Sequence, residues 1–167
     1  MIAFRNVDSP VGPLLLAASE DALVAIEFRQ NRHPVKRNAD WQQGDNAMLR
    51  ETQRQLQSYF DGQVRRFDLP LAPDGTPFQQ QVWATLAQIP YGMTWSYGEL
   101  AQHLGKPAAV RAVGAANGRN PIPIVLPCHR VIGADGSLTG FGGGLPTKAF
   151  LLRHEGALLD SEGDLFG

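Results

Sequence analysis

The 167-residue chain has a formal net charge of −1, with 43% hydrophobic and 19% charged residues. This is an ordinary balance for a folded protein, at a length that buries one core or two small lobes, and no window approaches the roughly 18 apolar residues of a membrane span. The N-terminus MIAFRNVDSPVG has no basic flank leading into an apolar run, so no signal peptide is expected, and one cysteine rules out an internal disulfide, which fits a reducing, cytoplasmic setting.

Three short apolar or alternating runs, Ile2 to Asn6, Leu14 to Ala18 and Leu23 to Phe28, are separated by SPVGP and SEDA and read as strands in meander order. The polar stretch RQNRHPVKRNADWQQG has no period and is expected to be an irregular loop. Leu49, Leu56, Tyr59 and Phe60 recur at helical spacing up to Gly62, which predicts a helix over about 46–61. Phe67 and Leu69 suggest one more extended segment. LAPDGTPF then punctuates the backbone and divides the chain into lobes at 1–75 and 76–167.

The second lobe opens on Thr76-Pro77-Phe78-Gln79, a capping box with proline at the first helical position; Phe78, Val82, Leu86 and Ile89 line one face of the helix. Ser96-Tyr97-Gly98-Glu99 is a second capping box, and its helix stops at Gly105. Pro107 is expected to start the next helix, through Val110 and Val113, and the two helices make a helix-turn-helix pattern. The run Ile122 to Leu126 is too short and too β-branched for a helix and reads as a strand ending at the cysteine. GADGSLTGFGGGLP is a glycine-dense loop without phosphate-binding spacing. Pro146 to His154 is the last predicted helix, and the tail to Gly167 is expected to be loose.

Between Leu100 and Ala134 there is no Asp or Glu, while Lys106, Arg111, Arg119, Arg130, His103 and His129 all fall inside. A local field of one sign can attract a polyanion although the whole chain is nearly neutral. In the same stretch lies Cys128, within IVLPCHRV. A free cysteine is ordinarily a buried, inert thiol; it becomes a nucleophile where cations or a histidine partner favour the thiolate. His129 is adjacent, yet neighbouring residues point apart on a strand and do not face one another on a helix. A Cys128–His129 bond therefore requires a sharp turn or a bridging water. The spacings of His33, His103, His129 and His154 fit no zinc signature, and no metal or cofactor is expected.

The segment AVRAVGAANGRNPIPIVLPCHRVIGADGSLTGFGGG, with SYGELA upstream and LLRHEG downstream, closely resembles the methylated-DNA-protein-cysteine S-methyltransferases, also called alkylguanine-DNA alkyltransferases. The resemblance is strong over about residues 76–156; in the first lobe it is an outline carried by SPVGPLLLA and FDLPL. It implies an α+β fold, in which a small, mostly antiparallel N-terminal sheet lobe with a helix supports a helical C-terminal lobe with a winged-helix-like helix-turn-helix. It also implies DNA repair by a single-use protein, with the alkyl group moving from the O6 oxygen of guanine, and more weakly the O4 oxygen of thymine, in duplex DNA to Cys128.

By the same resemblance, His129 acts as base through a water, Glu155 holds the imidazole, and Asn120 is the hinge asparagine. Arg111 is the finger that fills the gap left by a flipped nucleotide. Tyr97 crowds the flanking phosphate and reaches the guanine. Ala112, Gly114 and Ala115 let the recognition helix enter the minor groove. Carbonyls of Cys128 and Val131 contact the guanine amino group, and Phe141 and Gly142 wall the pocket. Phe141 departs from the tyrosine of many relatives, which bears on selectivity among alkyl groups, and Val110 stands where relatives often have alanine, either limiting groove depth or packing inward. The partner implied is alkylated double-stranded DNA, met by a monomer that could cluster along it. A non-catalytic lesion binder would carry tryptophan in place of Cys128, a fused regulator would add a cysteine-rich zinc domain, and a cysteine hydrolase would turn over.

Overall fold

A computed structural model describes residues 1–31 and 33–158; the tail expected to be loose lies outside them from residue 159 on. Strands β1 (Ile2–Val7), β2 (Leu14–Ala18) and β3 (Leu23–Phe28) form the antiparallel meander, and β4 (Trp41–Gln43) pairs parallel to β1, giving the order β3-β2-β1-β4. The last strand falls in the stretch read as irregular loop. Three residues carry no measurable period, and the pairing comes from β1, whose outer edge would otherwise be open.

All five residues of β2 are buried because both sheet faces are covered. Leu14, Leu16 and Ile26 face helix α1 (Ala47–Phe60) and the main core, while Leu15, Ala17 and Ala25 pack beneath Phe4, Val35 and Trp41. Asn46 caps α1, accepting from the Leu49 amide at 2.8 Å and donating to the Ala18 carbonyl at 3.1 Å, so one side chain starts the helix and ties it to β2. The extended segment anticipated near Phe67 and Leu69 is a single bridge further along: Leu23 donates to the Pro70 carbonyl and accepts from the Ala72 amide.

Both predicted capping boxes are present. Thr76 opens α2 (Pro77–Leu86) and Ser96 opens α3 (Tyr97–His103), each with the reciprocal bond from Gln79 or Glu99. Gly105, at φ 81°, ends the turn after α3 in a conformation that costs a residue with a Cβ. The next helix, α4 (Val110–Gly118), begins three residues later than expected: Pro107 and Ala108 form a turn, and Ala109 precedes the helix without a side-chain cap. The Trp83 indole donates to the Ala116 carbonyl at 2.8 Å and fixes α4 against α2.

The strand expected over Ile122 to Leu126 does not form. Pro121, Pro123 and Pro127 cannot donate to a ladder. The chain curls instead: the Leu126 amide bonds the Ile122 carbonyl at 2.9 Å, with Ile124 at φ 74°. A β-branched residue in the left-handed region is strained, and burial of Ile122, Ile124 and Leu126 in the core holds it there. A 3-10 turn, Cys128–Arg130, follows, then β6 (Val131–Ile132), parallel to β5 (Trp95–Ser96), and finally α5 (Leu145–His154). One apolar cluster runs through both halves of the chain, from Leu14 and Tyr59 to Val131 and Leu151. The molecule is a mixed α+β fold, with a four-stranded N-terminal sheet and a helix-turn-helix formed by α3 and α4. None of its described helices is long and apolar enough to cross a membrane.

Candidate active site

Helix α4 has two distinct sides. Val113, Ala116 and Asn117 are buried, whereas Arg111, Ala112 and Ala115 lie exposed on the opposite side. Gly114 presents its backbone to the Tyr97 ring; a Cβ built there would sit 3.6 Å from it. Tyr97, Gly114, Ala115, Phe141 and Gly142 line an open cleft of about 450 Å³, joined by Val110 and by His33 from the first lobe. Val110 is 38% exposed and borders this cleft, so its methyl groups do not pack inward. Phe141 is buried against Phe28 of β3, ring centroids 5.4 Å apart.

Cys128 begins the 3-10 turn and is 5% exposed. Burial pushes its thiol up to about 11, against a hydrogen bond from Asn120 and the charge of Lys148, both of which favour the thiolate. Asn120 also bridges the preceding curl, donating to the Leu126 carbonyl at 2.7 Å and accepting from the Ile122 amide at 3.0 Å. The resting site therefore holds a neutral thiol at neutral pH.

His129 is fully buried, and its Nε2 lies 2.8 Å from Glu155 Oε2 at the C-terminal cap of α5. Burial would raise the Glu155 carboxyl; the hydrogen bonds and charges of His129 and Arg130 outweigh it and hold the group well below the usual carboxylate range. An ionised carboxylate only accepts, so Nε2 carries the proton and the neutral ring keeps its lone pair on Nδ1. Among the described residues nothing hydrogen-bonds that buried Nδ1. Burial lowers the His129 pKa more strongly than Glu155 raises it, which keeps the ring neutral and available as a base.

Four other groups at this centre were not singled out from the sequence. Arg130, counted above among the cations of a DNA-facing field, is turned inside: its Nε and Nη2 donate to Glu155 at 2.7 and 3.0 Å, and Nη1 to the Ile89 carbonyl at 2.7 Å. The buried His129 likewise adds nothing to that field, which is left to Lys106, Arg111, Arg119 and His103, all exposed. The Tyr59 hydroxyl donates to Glu155 Oε2 at 2.6 Å. Lys148 is fully buried, its ammonium shared between the carbonyls of Val131 and Thr139 at 2.5 and 2.8 Å, and burial brings its pKa down to about 8. Thr139 also accepts from the Tyr97 hydroxyl at 3.2 Å, which links the lysine to the cleft wall. Asn117 Nδ2 reaches the Cys128 carbonyl at 3.5 Å. A helix pattern marks Lys148 and Tyr59 as helical but does not say what they touch across the fold. Arg130 alone carried a signal, its place beside His129.

The carbonyls of Cys128 and Val131 are both already engaged: that of Cys128 accepts from the Val131 amide and, at 3.5 Å, from Asn117, and that of Val131 accepts from Lys148. The structure brings together Cys128, His129, Glu155 and Asn120. Tyr97, Gly114, Ala115, Phe141 and Gly142 form the neighbouring cleft, and Arg111 and Ala112 lie on the exposed face of α4. Among the described residues no cluster of three or more His, Cys, Asp or Glu side chains could hold a metal ion.

Residues 2–73 match the family model for the 6-O-methylguanine DNA methyltransferase ribonuclease-like domain, and residues 77–157 that for the 6-O-methylguanine DNA methyltransferase DNA binding domain. A Methanosarcina barkeri protein named methylated-DNA–protein-cysteine methyltransferase is 51% identical over 149 residues, 89% of this chain and 94% of its own. One of the same name from Mycobacterium tuberculosis is 46% identical over 166 residues, 99% of each chain. The crystal structure of Mycobacterium tuberculosis OGT in complex with DNA superposes with a TM-score of 0.88 at 45% identity, covering 99% of both chains.

Proposed function

The chain belongs to the 6-O-methylguanine DNA methyltransferase family, and from that premise we propose how its own residues carry out the reaction. The protein is a DNA-repair alkyltransferase that moves an alkyl group from duplex DNA to its own cysteine. Cys128 is the acceptor, and its substrates are guanine alkylated on the O6 oxygen and, more weakly, thymine alkylated on O4. The observation that carries this reading is the buried neutral thiol next in sequence to a histidine whose Nε2 is held by Glu155 and whose Nδ1 has no partner among the described residues.

A thiol with a pKa near 11 supplies too little thiolate at neutral pH to react by itself. Deprotonation is therefore coupled to attack: the proton passes through a water to His129 Nδ1, and Glu155 stabilises the imidazolium that forms. The Cys128 sulfur bonds the alkyl carbon as the carbon–oxygen bond breaks. The electron pair goes to O6 of guanine, which departs with a proton delivered on the Tyr97 side. The product is a thioether with no carbonyl for water to attack, so each molecule acts once.

The reacting carbon lies inside the duplex, and the base has to be flipped out at a cost of a few kcal/mol. The exposed face of α4 enters the minor groove through Ala112 and Ala115, Arg111 fills the vacated stack, and the base enters the cleft walled by Tyr97, Phe141 and Gly142. Residues 76–167 are the DNA-binding and acceptor lobe and residues 1–75 the supporting one. The protein acts as a monomer in the cytoplasm, where a lone thiol stays reduced.

The test is to incubate the protein with a duplex containing O6-methylguanine and map the product by peptide mass. The expected result is a single added methyl on the Cys128 peptide, absent in Cys128→Ala. A methyl on another residue, or tight binding of the duplex with no mass gain, would sink the reading and favour a lesion binder.

A further inference from the structure

The first lobe reaches the proton relay at one point. Tyr59, near the end of α1, is fully buried and donates to Glu155 Oε2 at 2.6 Å across 96 residues of chain. His129 Nε2 uses the same oxygen at 2.8 Å. The Tyr59 carbonyl is bound in turn by His154 Nε2 at 2.7 Å, so α1 is fastened to α5 on both sides of the carboxylate. The rings of Phe60 and Phe67 stand 5.1 and 5.4 Å from the tyrosine ring and fix its direction. Packing alone would be served by phenylalanine; a buried phenol needs an acceptor, and this one is aimed at the group that orients the base.

Resting on the reading of His129 as the base, we propose that Tyr59 is a positioning residue of the alkyl-transfer site: its phenol holds Glu155 in place and draws charge from Oε2, setting how strongly His129 takes up a proton. Burial and the neighbouring Glu155 charge keep the phenol protonated, so it acts as a donor throughout.

Arg130 from the same turn, Lys148 and His154 from α5, Cys128, and Tyr91 from the loop after α2 are the other titratable or charged groups around this centre. Arg130 and Lys148 oppose an imidazolium, and Glu155 favours it. Loss of the phenol leaves those cations in place and concentrates negative charge on Glu155. His129 is then protonated at higher pH, and because catalysis needs the neutral ring, the acid limb of the rate profile moves to higher pH. A stronger donor moves it the other way.

The experiment is the single-turnover rate of methyl transfer against pH for the unaltered protein, Tyr59→Phe, and a protein with 3,5-difluorotyrosine at position 59 alone. At the pH where the unaltered protein runs at half its plateau, Tyr59→Phe is expected to be about three- to tenfold slower, with plateaus agreeing within about twofold. The difluorotyrosine protein is expected to shift its limb to lower pH. An unmoved limb in both, whatever their melting temperatures, would overturn the proposal and leave Tyr59 a packing residue. If Tyr59→Phe does not fold, the fluorinated protein, which keeps the ring and hydroxyl, decides. His129→Gln in the same assay separates the two layers: transfer lost there while the Tyr59 limbs stay put overturns only the role of Tyr59. Transfer retained with an unchanged limb overturns the base reading and the proposal with it.

Discussion

Glu155 concentrates the electrostatics of the site: its side chain is fully enclosed and accepts from His129, Arg130 and Tyr59. Its carboxyl lies below the ordinary value of 4.5 in the folded protein, so the unfolded chain binds the proton more readily. The stability this gives is present above about pH 4.5 and drains away as pH falls toward the depressed folded value. Replacing it by glutamine strands the Arg130 guanidinium in the interior, and urea unfolding of Glu155→Gln is expected to show a loss of about 3–5 kcal/mol at neutral pH. The variant's stability should also fall less steeply below pH 4.5 than that of the unaltered protein, since one of several depressed carboxyls is gone, and its transfer rate should drop about a hundredfold. A stable variant with full activity would show that the pair is incidental. At this scale the sequence is a partial guide. Neighbouring residues diverge, and from that rule alone the Cys128–His129 pair needed a turn or an intermediary. It has no counterpart for Lys148, because a fully buried lysine is the exception that composition argues against, nor for the inward turn of Arg130, whose carboxylate lies 25 residues on.

Local chemistry made the element starts readable. Thr76 and Ser96 each bond an amide three residues on, with a Gln or Glu returning the bond, and such motifs form wherever the helix does. The proline-rich curl before Cys128 was harder: β-branched residues suggested a strand, but three prolines remove the ladder donors and tertiary packing imposes the left-handed turn at Ile124. That curl decides how Cys128 is presented, since the thiol sits at the head of a 3-10 turn and not at a strand end. The glycine loop was legible as a loop and not as a contact with the N-terminal sheet. A Cβ on Gly143 would fall 2.6 Å from the Phe28 ring, and Phe28 is the partner of Phe141 in the cleft wall. Gly143→Ala is therefore expected to cost about 1–3 kcal/mol in chemical denaturation, because a buried ring has to move. A melting curve matching the unaltered protein would contradict this contact.

For the whole molecule, one apolar core joins the N-terminal sheet to the helices of the second half; Phe28 of β3 backs Phe141 of the cleft wall, and the Tyr59 hydroxyl of α1 donates to Glu155. The division read at LAPDGTPF rests on the proline and glycine that punctuate it; the bonds that cross that stretch leave no local period, since they join residues far apart in the chain. With a net charge of −1, duplex binding is expected to depend on the exposed cations of the helix-turn-helix region. Arg111→Ala should slow repair of duplex DNA far more than reaction with free benzylated guanine, which needs no flipping; equal losses would remove the arginine from that role. The central claim is sacrificial transfer to a single buried thiol. It is tested most directly by counting methyl groups transferred per protein chain over time, with O6-methylguanine duplex in large excess. The count should rise and stop at one, and a count that climbs past one would contradict the account.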